Sequence, residues 1–496
     1  MAVAEDITHV ESPRVKMRPE ELTPAATAAL ANVLQTMLQI ECNKQQVKEV
    51  YVHFPTPEEN KEAARERGLQ GRRIEEVAAT LQALGTDPNP GIAAGLKSLD
   101  GTAHRPPMFK TEIADWNDFL MFRYLRDRAQ ASWAIGYLGT DYVPFAVTVS
   151  RLYMHAALGT QRPTEYCAWT DHQIARMRQR LDAGQKDVLQ ASLDRWYPIA
   201  LGLVADTTNE AAELEHGIRG RAAVVGEKVF VEKVIAEMGA LGLTVPDSAD
   251  RFAGIAMDTI YLDGSAALPE AYRAKLVKLL KMHLSSEYTT TYLEALDPPT
   301  AEDIAEWSHT IQEEGEHGEG MVDLLRNLGE DAQAVIDDMR YGGGAYLLDF
   351  FKIEIESWDE IGIMRWLSER AAGYQSLASL GSNYIPYAIW SARNYMDEGM
   401  AHAGVGKEIT QRAIDEGRAA EIQRLFDKRY PSVIDYFGSE KPENAFIDLG
   451  IKVRSNKELR RRWLKDQIRD CYELGVKMPD DPLQGDRAHY YAHAGP

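Results

Sequence analysis

The sequence predicts an all-α protein made of two tandem helical bundles, and three observations carry that prediction. Its two halves repeat each other, acids and histidines of the second half recur at helical spacing, and 45% of its 496 residues are apolar, enough to bury two cores. The expected order is an N-terminal tail over 1–23, a first bundle over 24–247, a linker over 248–270, a second bundle over 271–480 and a tail over 481–496. The first tail, MAVAEDITHVESPRVKMRPEE, lacks the apolar stretch of a secretory signal, and no apolar run in the chain approaches a membrane span. A cytoplasmic location without membrane association is the default expectation.

The two bundles follow from internal matches. LQIE ending at Glu41 pairs with LSSE ending at Glu287, and TLQALGTD (Thr80 to Asp87) with LLRNLGED (Leu324 to Asp331). EIADWNDFLMFRYLRDRAQ from Glu112 pairs with EIESWDEIGIMRWLSERAA from Glu354, YLGTDYVPFA (Tyr137 to Ala146) with SLGSNYIPYA (Ser379 to Ala388), and LGLTVPD from Leu241 with LGVKMPD from Leu474. A period this long excludes a solenoid and indicates two fused copies of one domain.

The second copy carries Glu287, then Glu314 with His317, then Glu369, then Glu398 with His402. On a helix, residues three or four apart share a face, so each Glu/His pair can point inward together. A lone Glu from each of two helices and a Glu/His pair from each of the other two is what a bundle needs to hold two metal ions. Glu287 to Glu314 spans 27 residues and Glu369 to Glu398 spans 29, which suits two helical hairpins. The 52 residues from His317 to Glu369, with Gly342, Gly343 and Gly344 among them, read as the long crossover of a ferritin-like bundle. Leu284, Ile311, Met321, Leu324, Ile361, Leu367 and Met396 flank the candidates with apolar surface, where an acid needs a cation. The second pair is one residue longer than Glu-x-x-His; either spacing can face one way, or a π-bulge can absorb the extra residue. With 12 histidines in the chain, the Glu213/His216 pair reads as a chance match.

Carried into the first copy, the six positions become Glu41, Gln70, Arg73, Asp127, Ala156 and Thr160, so both histidines and two carboxylates are lost. The first copy is expected to be metal-free, with Arg73 in the vacated site pairing with Glu41 and Asp127; the alternative turns these residues to solvent. Cys42, Cys167 and Cys471 are far apart and form no Cys-x-x-Cys, so neither an iron–sulfur cluster nor a disulfide framework is indicated, and any electrons must come from another protein. The net charge of −21 argues against nucleic-acid binding. Further oligomerisation, a homodimer included, is left open.

The second copy resembles the phenylacetyl-CoA epoxidase (ring 1,2-epoxidase) family over about 200 residues. The resemblance lies in SSEYTTTYLEA around Glu287, QEEGEHGE (Gln312 to Glu319), WDEIGIMRWLSERAA (Trp358 to Ala372), YIPYA with MDEGMAH (Met396 to His402), and the Leu474 to Asp480 segment. It implies a catalytic ferritin-like subunit paired with a related structural one, here fused in one chain. It further implies a di-iron centre that uses O2 and electrons from a separate reductase to epoxidise an aromatic acyl-CoA. Metal ligands would be Glu287, Glu314, His317, Glu369, Glu398 and His402, with Glu314 and Glu398 in the catalytic role. The family has Glu-Glu-x-x-His where this chain has Asp-Glu-x-x-x-His, which bears on substrate identity.

The same ligands suit manganese as well as iron. The alternatives are a di-iron oxygenase on a free acid, an amine or a biosynthetic intermediate, and a non-catalytic, metal-stabilised scaffold. Around the site, Glu313, Glu316 and Asp397 are either proton relays or, the reading preferred, solvated helix-face acids. Lys452, Arg454, Lys457, Arg460, Arg461 and Arg462 form a basic run, preferred as a solvent-facing helix over a phosphate site. Tyr374, Tyr384, Tyr387 and Trp390 line a ring-sized pocket or, by preference, pack the core.

Overall fold

A computed structural model describes residues 15–50, 71, 73–96, 113–153, 169–262, 268–290, 298–342, 344–346, 354–437 and 445–479. Gln70, Ala156, Thr160, Cys167 and both chain ends lie outside these. The described residues are helical, with no β-strand among them beyond two isolated bridges. None of their helices is long and apolar enough to cross a membrane. The chain divides into two compact units, Lys16–Asp258 and a second that runs from Thr259 and takes in Val15.

In the first unit, α1 (Pro24–Val50), α2 (residues 73–83), α3 (Trp116–Tyr137), α4 (Val143–Tyr153), α5 (Trp169–Asp182), α6 (Lys186–Val204) and α7 (Ala223–Ala240) are joined by shorter pieces. Eighteen residues of α3 are buried, Asp118, Arg123, Arg126 and Asp127 among them, so it takes the centre, where Phe119 and Phe122 pack with Trp196, Tyr197 and Phe230. Asp115 starts it by accepting from the Asp118 backbone N–H at 2.9 Å.

In the second unit, α8 (Glu270–Thr290) and α9 (Ala301–Asn327) form the first pair. Thr300 caps α9, accepting from the Asp303 N–H at 3.1 Å. Trp358–Met364, a π turn at Arg365–Glu369 and Arg370–Leu377 run on as α10, capped by Ser357. Ile385–Asn394, a π segment at Tyr395–His402 and Ala403–Ala413 run on as α11. Then come α12 (Ala419–Tyr436) and α13 (Asn456–Leu474). The core between α8, α9 and α11 is built on Leu276, Leu280, Leu284, Met321, Leu325, Tyr387 and Trp390. Each of the aliphatic residues there contributes roughly 1.5–3 kcal/mol by leaving water.

The repeat extends to local geometry. Lys16 bridges Tyr142, its N–H donating to the Asp141 carbonyl at 2.7 Å, and Tyr261 bridges Tyr384, its N–H donating to the Asn383 carbonyl at 2.7 Å. The N–H of Asp141 reaches the Gly217 carbonyl and that of Asn383 the Gly450 carbonyl, both at 2.7 Å. Both glycines sit at positive φ, 67° and 72°, and a Cβ there would meet Asp141 or Asn383. Pro198 and Pro431 occupy matching places inside α6 and α12, in LDRWYP and FDKRYP, a match the sequence comparison missed.

Candidate metal centre

Four helices of the second unit bring all six expected residues to one place. Glu287 comes from α8, Glu314 and His317 from α9, Glu369 from α10, and Glu398 and His402 from α11; every one is buried. Their ligand atoms fall into two sets, each with all atoms within 4.8 Å of one another: Glu287, Glu314, His317 and Glu398, and Glu314, Glu369, Glu398 and His402. Donors on one ion at about 2.1 Å lie no more than about 4.2 Å apart, so both sets stand near coordination distance. Among the described residues these are the only such clusters, and Glu213 is instead tied to Arg219 at 2.9 Å.

Glu314 and Glu398 belong to both sets, and each turns one oxygen to each histidine. Oε2 of Glu314 is 3.8 Å from Nδ1 of His317 and its Oε1 is 3.4 Å from Nδ1 of His402. Oε1 of Glu398 is 3.1 Å from Nδ1 of His317 and its Oε2 is 3.6 Å from Nδ1 of His402. Glu287, 3.3 Å from His317, and Glu369, 3.8 Å from His402, are the terminal carboxylates at opposite ends. The π segment Tyr395–His402 takes up the four-residue spacing of Glu398 and His402, and a second π turn holds Glu369.

The histidines are oriented from outside. Nε2 of His317 lies 2.8 Å from Asp397 and Nε2 of His402 lies 2.8 Å from Glu313; a neutral ring that donates to these carboxylates turns its Nδ1 lone pair inward, as a metal ligand would need. This corrects the reading of Glu313 and Asp397 as solvated acids: one helical face turns each toward a neighbouring helix's imidazole. Glu316 pairs with Arg393.

The donor set fits metal ions. Nδ1 of both histidines, Oε1 of Glu369 and Oε1 of Glu398 are buried without a hydrogen-bond partner, which costs free energy unless a cation fills the space between them. Burial pushes the Glu287 carboxyl well above its ordinary value and Glu369 up to about 7. Where no cation stands between them, the surrounding carboxylates raise both imidazoles above their ordinary value despite burial, and Glu314, which burial alone would raise, is held low by hydrogen bonds and charge from those two rings.

One turn before each ligand carboxylate stands a polar residue that sequence reasoning passed over: His283, Thr310, Arg365 and Asn394. The shared four-residue offset was the available signal. Asn394 donates to Oε1 of Glu287 at 3.4 Å and accepts from Ser376. Arg365 donates to Oε2 of Glu369 at 3.2 Å and to Oγ1 of Thr310 at 2.8 Å. A cavity of about 40 Å³ adjoins the carboxylates, lined by Met364, Ala372, Trp390, His283, Gln375 and Asn394 among others. Burial keeps the His283 imidazole neutral, its pKa pushed down to about 3.

Of the flanking apolar residues, Leu284, Met321, Leu324, Ile361 and Leu367 are buried, whereas Ile311 and Met396 are half-buried. Trp390 alone of the four aromatic candidates lines the cavity; Tyr384 and Tyr387 pack in the core with it, and Tyr374 donates to Asp466. The basic run does not face solvent as a whole: Lys452, Arg454 and Arg462 are buried, and Arg454 donates to the Leu377 carbonyl at 3.1 Å. In the first unit, Arg73 donates to Oε2 of Glu41 at 3.2 Å and Gln130 to its Oε1 at 2.8 Å. Asp127 is held by Arg126 at 2.7 Å and by Gln173 at 3.3 Å, so a second arginine, not anticipated, supplies its countercharge.

Residues 257–496 match the model of a family described as phenylacetic acid catabolic protein. Over 236 residues, 45% of this chain and 75% of the relative, the sequence is 27% identical to one of the subunits of the 1,2-phenylacetyl-CoA epoxidase of Escherichia coli (strain K12).

Proposed function

We propose, from the premise that the C-terminal half of this chain belongs to the phenylacetic acid catabolic protein family, that the protein is a di-iron, O2-dependent monooxygenase. Its substrate is an aromatic acyl-CoA or a similar compound, and its electrons come from a separate reductase. One observation carries the reading: two four-donor sets that share Glu314 and Glu398, each with its own histidine and terminal carboxylate. That the relative is a subunit of a 1,2-phenylacetyl-CoA epoxidase supports the oxygenase class and the substrate class.

Four carboxylates and two neutral imidazoles carry four negative charges, which two divalent ions balance. Hard oxygens with one imidazole per ion suit iron, with manganese the competitor. Two irons bound there supply the chemistry that reduces O2 and passes one oxygen atom to an organic substrate. The chain's own residues do the rest. Glu314 and Glu398, which belong to both donor sets, would hold both ions and so take the catalytic role. Asp397 and Glu313 keep each Nδ1 aimed inward. The cavity of about 40 Å³ has room for a molecule the size of O2 or a few waters. Met364, Ala372 and Trp390 shield one side of it from bulk water, and a larger substrate enters by displacing such side chains. In the same reading the first unit is the structural copy of a fused pair: Arg73 and Arg126 stand where cations are needed, and the chain passes from one unit to the other at residue 258.

The test is the metal content of protein from iron-supplied cells beside a Glu314→Ala, His317→Ala variant, followed by mass spectrometry of phenylacetyl-CoA incubated with 18O2 and a reductant. About two irons per chain, lost in the variant, with one labelled oxygen in the product, is the expected result. Protein without transition metal, or with metal that survives the double change, would sink the oxygenase reading.

A further inference from the structure

We infer that the two metal positions are unequal and that Arg365 makes them so: the position bounded by Glu369 and His402 holds its divalent cation more weakly than the one bounded by Glu287 and His317. This rests on the metal reading above and concerns how the two ends differ.

By donor count the ends match, each having one histidine, one terminal carboxylate and a share of Glu314 and Glu398. They differ in what holds the terminal carboxylate. Glu287 accepts from the neutral amide of Asn394 at 3.4 Å. Glu369 accepts at 3.2 Å from a guanidinium, and on Oε2, the oxygen that faces His402. Arg365 is therefore a fixed positive charge competing with the metal for one ligand oxygen.

The charge is dry and cannot swing away. Arg365 has no exposed surface, its Nη2 is engaged by Thr310, and its guanidinium lies 5.7 Å from the centre of the Trp307 ring. Gly406 packs so closely that a Cβ on it would come within 2.7 Å of the Arg365 Cβ. The other acid beside it, Glu306, is 4.0 Å away and 35% exposed, so water screens it. The opposite end has a nearby arginine too, Arg393, 3.5 Å from Asp397. Asp397 touches the outer nitrogen of His317 and no ligand oxygen, and Arg393 is shared with Glu316 near solvent, so its field reaches the metal weakened. At the separation of neighbouring side chains, a fraction of the repulsion between a buried unit charge and a divalent ion spreads two affinities by about tenfold or more.

The experiment is calorimetric titration of the metal-stripped, full-length protein with Mn2+ under argon, with the spin resonance of free Mn2+ as an independent count. Two binding steps at least about tenfold apart are expected, with Glu369→Ala removing the weaker and Glu287→Ala the tighter. R365M narrows the gap by tightening the weak step, whereas R365K, which keeps the charge, preserves it. Equal steps in the unaltered protein, a gap that R365M leaves unchanged, or loss of the gap in R365K would each overturn the inference while leaving a dinuclear site intact. Should R365M fail to fold by circular dichroism, the assignment still decides, because a weaker step lost in Glu287→Ala rather than Glu369→Ala refutes it. No Mn2+ binding at all would overturn this inference together with the metal reading.

Discussion

Asp397 and Glu313 set the direction of the two imidazoles, and a ring free to rotate presents its lone pair to the metal only part of the time. D397N keeps the size of the side chain but loses the anionic acceptor at 2.8 Å from His317. It is expected to weaken metal binding about 10-fold to 100-fold while leaving helix content unchanged, read by competition with a chelator. In the first unit, the buried carboxylate of Glu41 depends on Arg73 and Gln130. Arg73→Ala removes a cationic partner of Glu41 and should cost about 2 kcal/mol in denaturant unfolding. Metal stoichiometry should not change, and a variant as stable as the parent would mean the pair contributes nothing.

Between elements, the close approach of α10 and α11 depends on residues too small to notice in a sequence. A Cβ on Gly373 would lie 2.4 Å from the Cα of Gly399, and Gly399 is the neighbour of Glu398. Both helices carry candidate metal ligands, so a side chain at this crossing should move Glu369 away from Glu398. Gly373→Ala should destabilise the second unit by about 1–3 kcal/mol and lower bound metal well below that of the unaltered protein. Metal analysis and thermal unfolding of the same preparation check both halves of the expectation. The helix existence and ligand order were legible because periodicity and the Glu/His spacing are local properties. The π segment was open in the sequence, since a four-residue spacing fits either an α turn or a bulge. The acids at Glu313 and Asp397 read as solvent-facing because their partners lie on another helix, and no local pattern states which helix that is.

For the whole molecule, a bound metal stabilises only what holds it. Metal at about 100 times its dissociation constant adds about 2.7 kcal/mol per site to the folded state. Mn2+ or Fe2+ should therefore raise the unfolding temperature of the metal-stripped protein, and the Glu314→Ala, His317→Ala variant should not respond. An equal shift in both proteins would place the bound metal elsewhere. The first unit keeps Glu41 and Asp127 in the matching positions but fixes them with Arg73, Arg126, Gln130 and Gln173, so its countercharges are covalent parts of the chain. A buried carboxylate needs a positive partner in either unit, and the two units meet that need in different ways.

The sequence alone determined the all-α class, the repeat, and the order Glu287, Glu314 with His317, Glu369, Glu398 with His402, because helix periodicity and self-similarity are written along the chain. Only the tertiary structure decided which carboxylates belong to both donor sets and which to one, that Asp397 and Glu313 meet the outer imidazole nitrogens, and that Arg365 grips Glu369 where Asn394 meets Glu287. The physical reason is separation. These contacts join side chains from different helices, 80 residues apart for His317 and Asp397, and their geometry exists only once the apolar faces of those helices have packed.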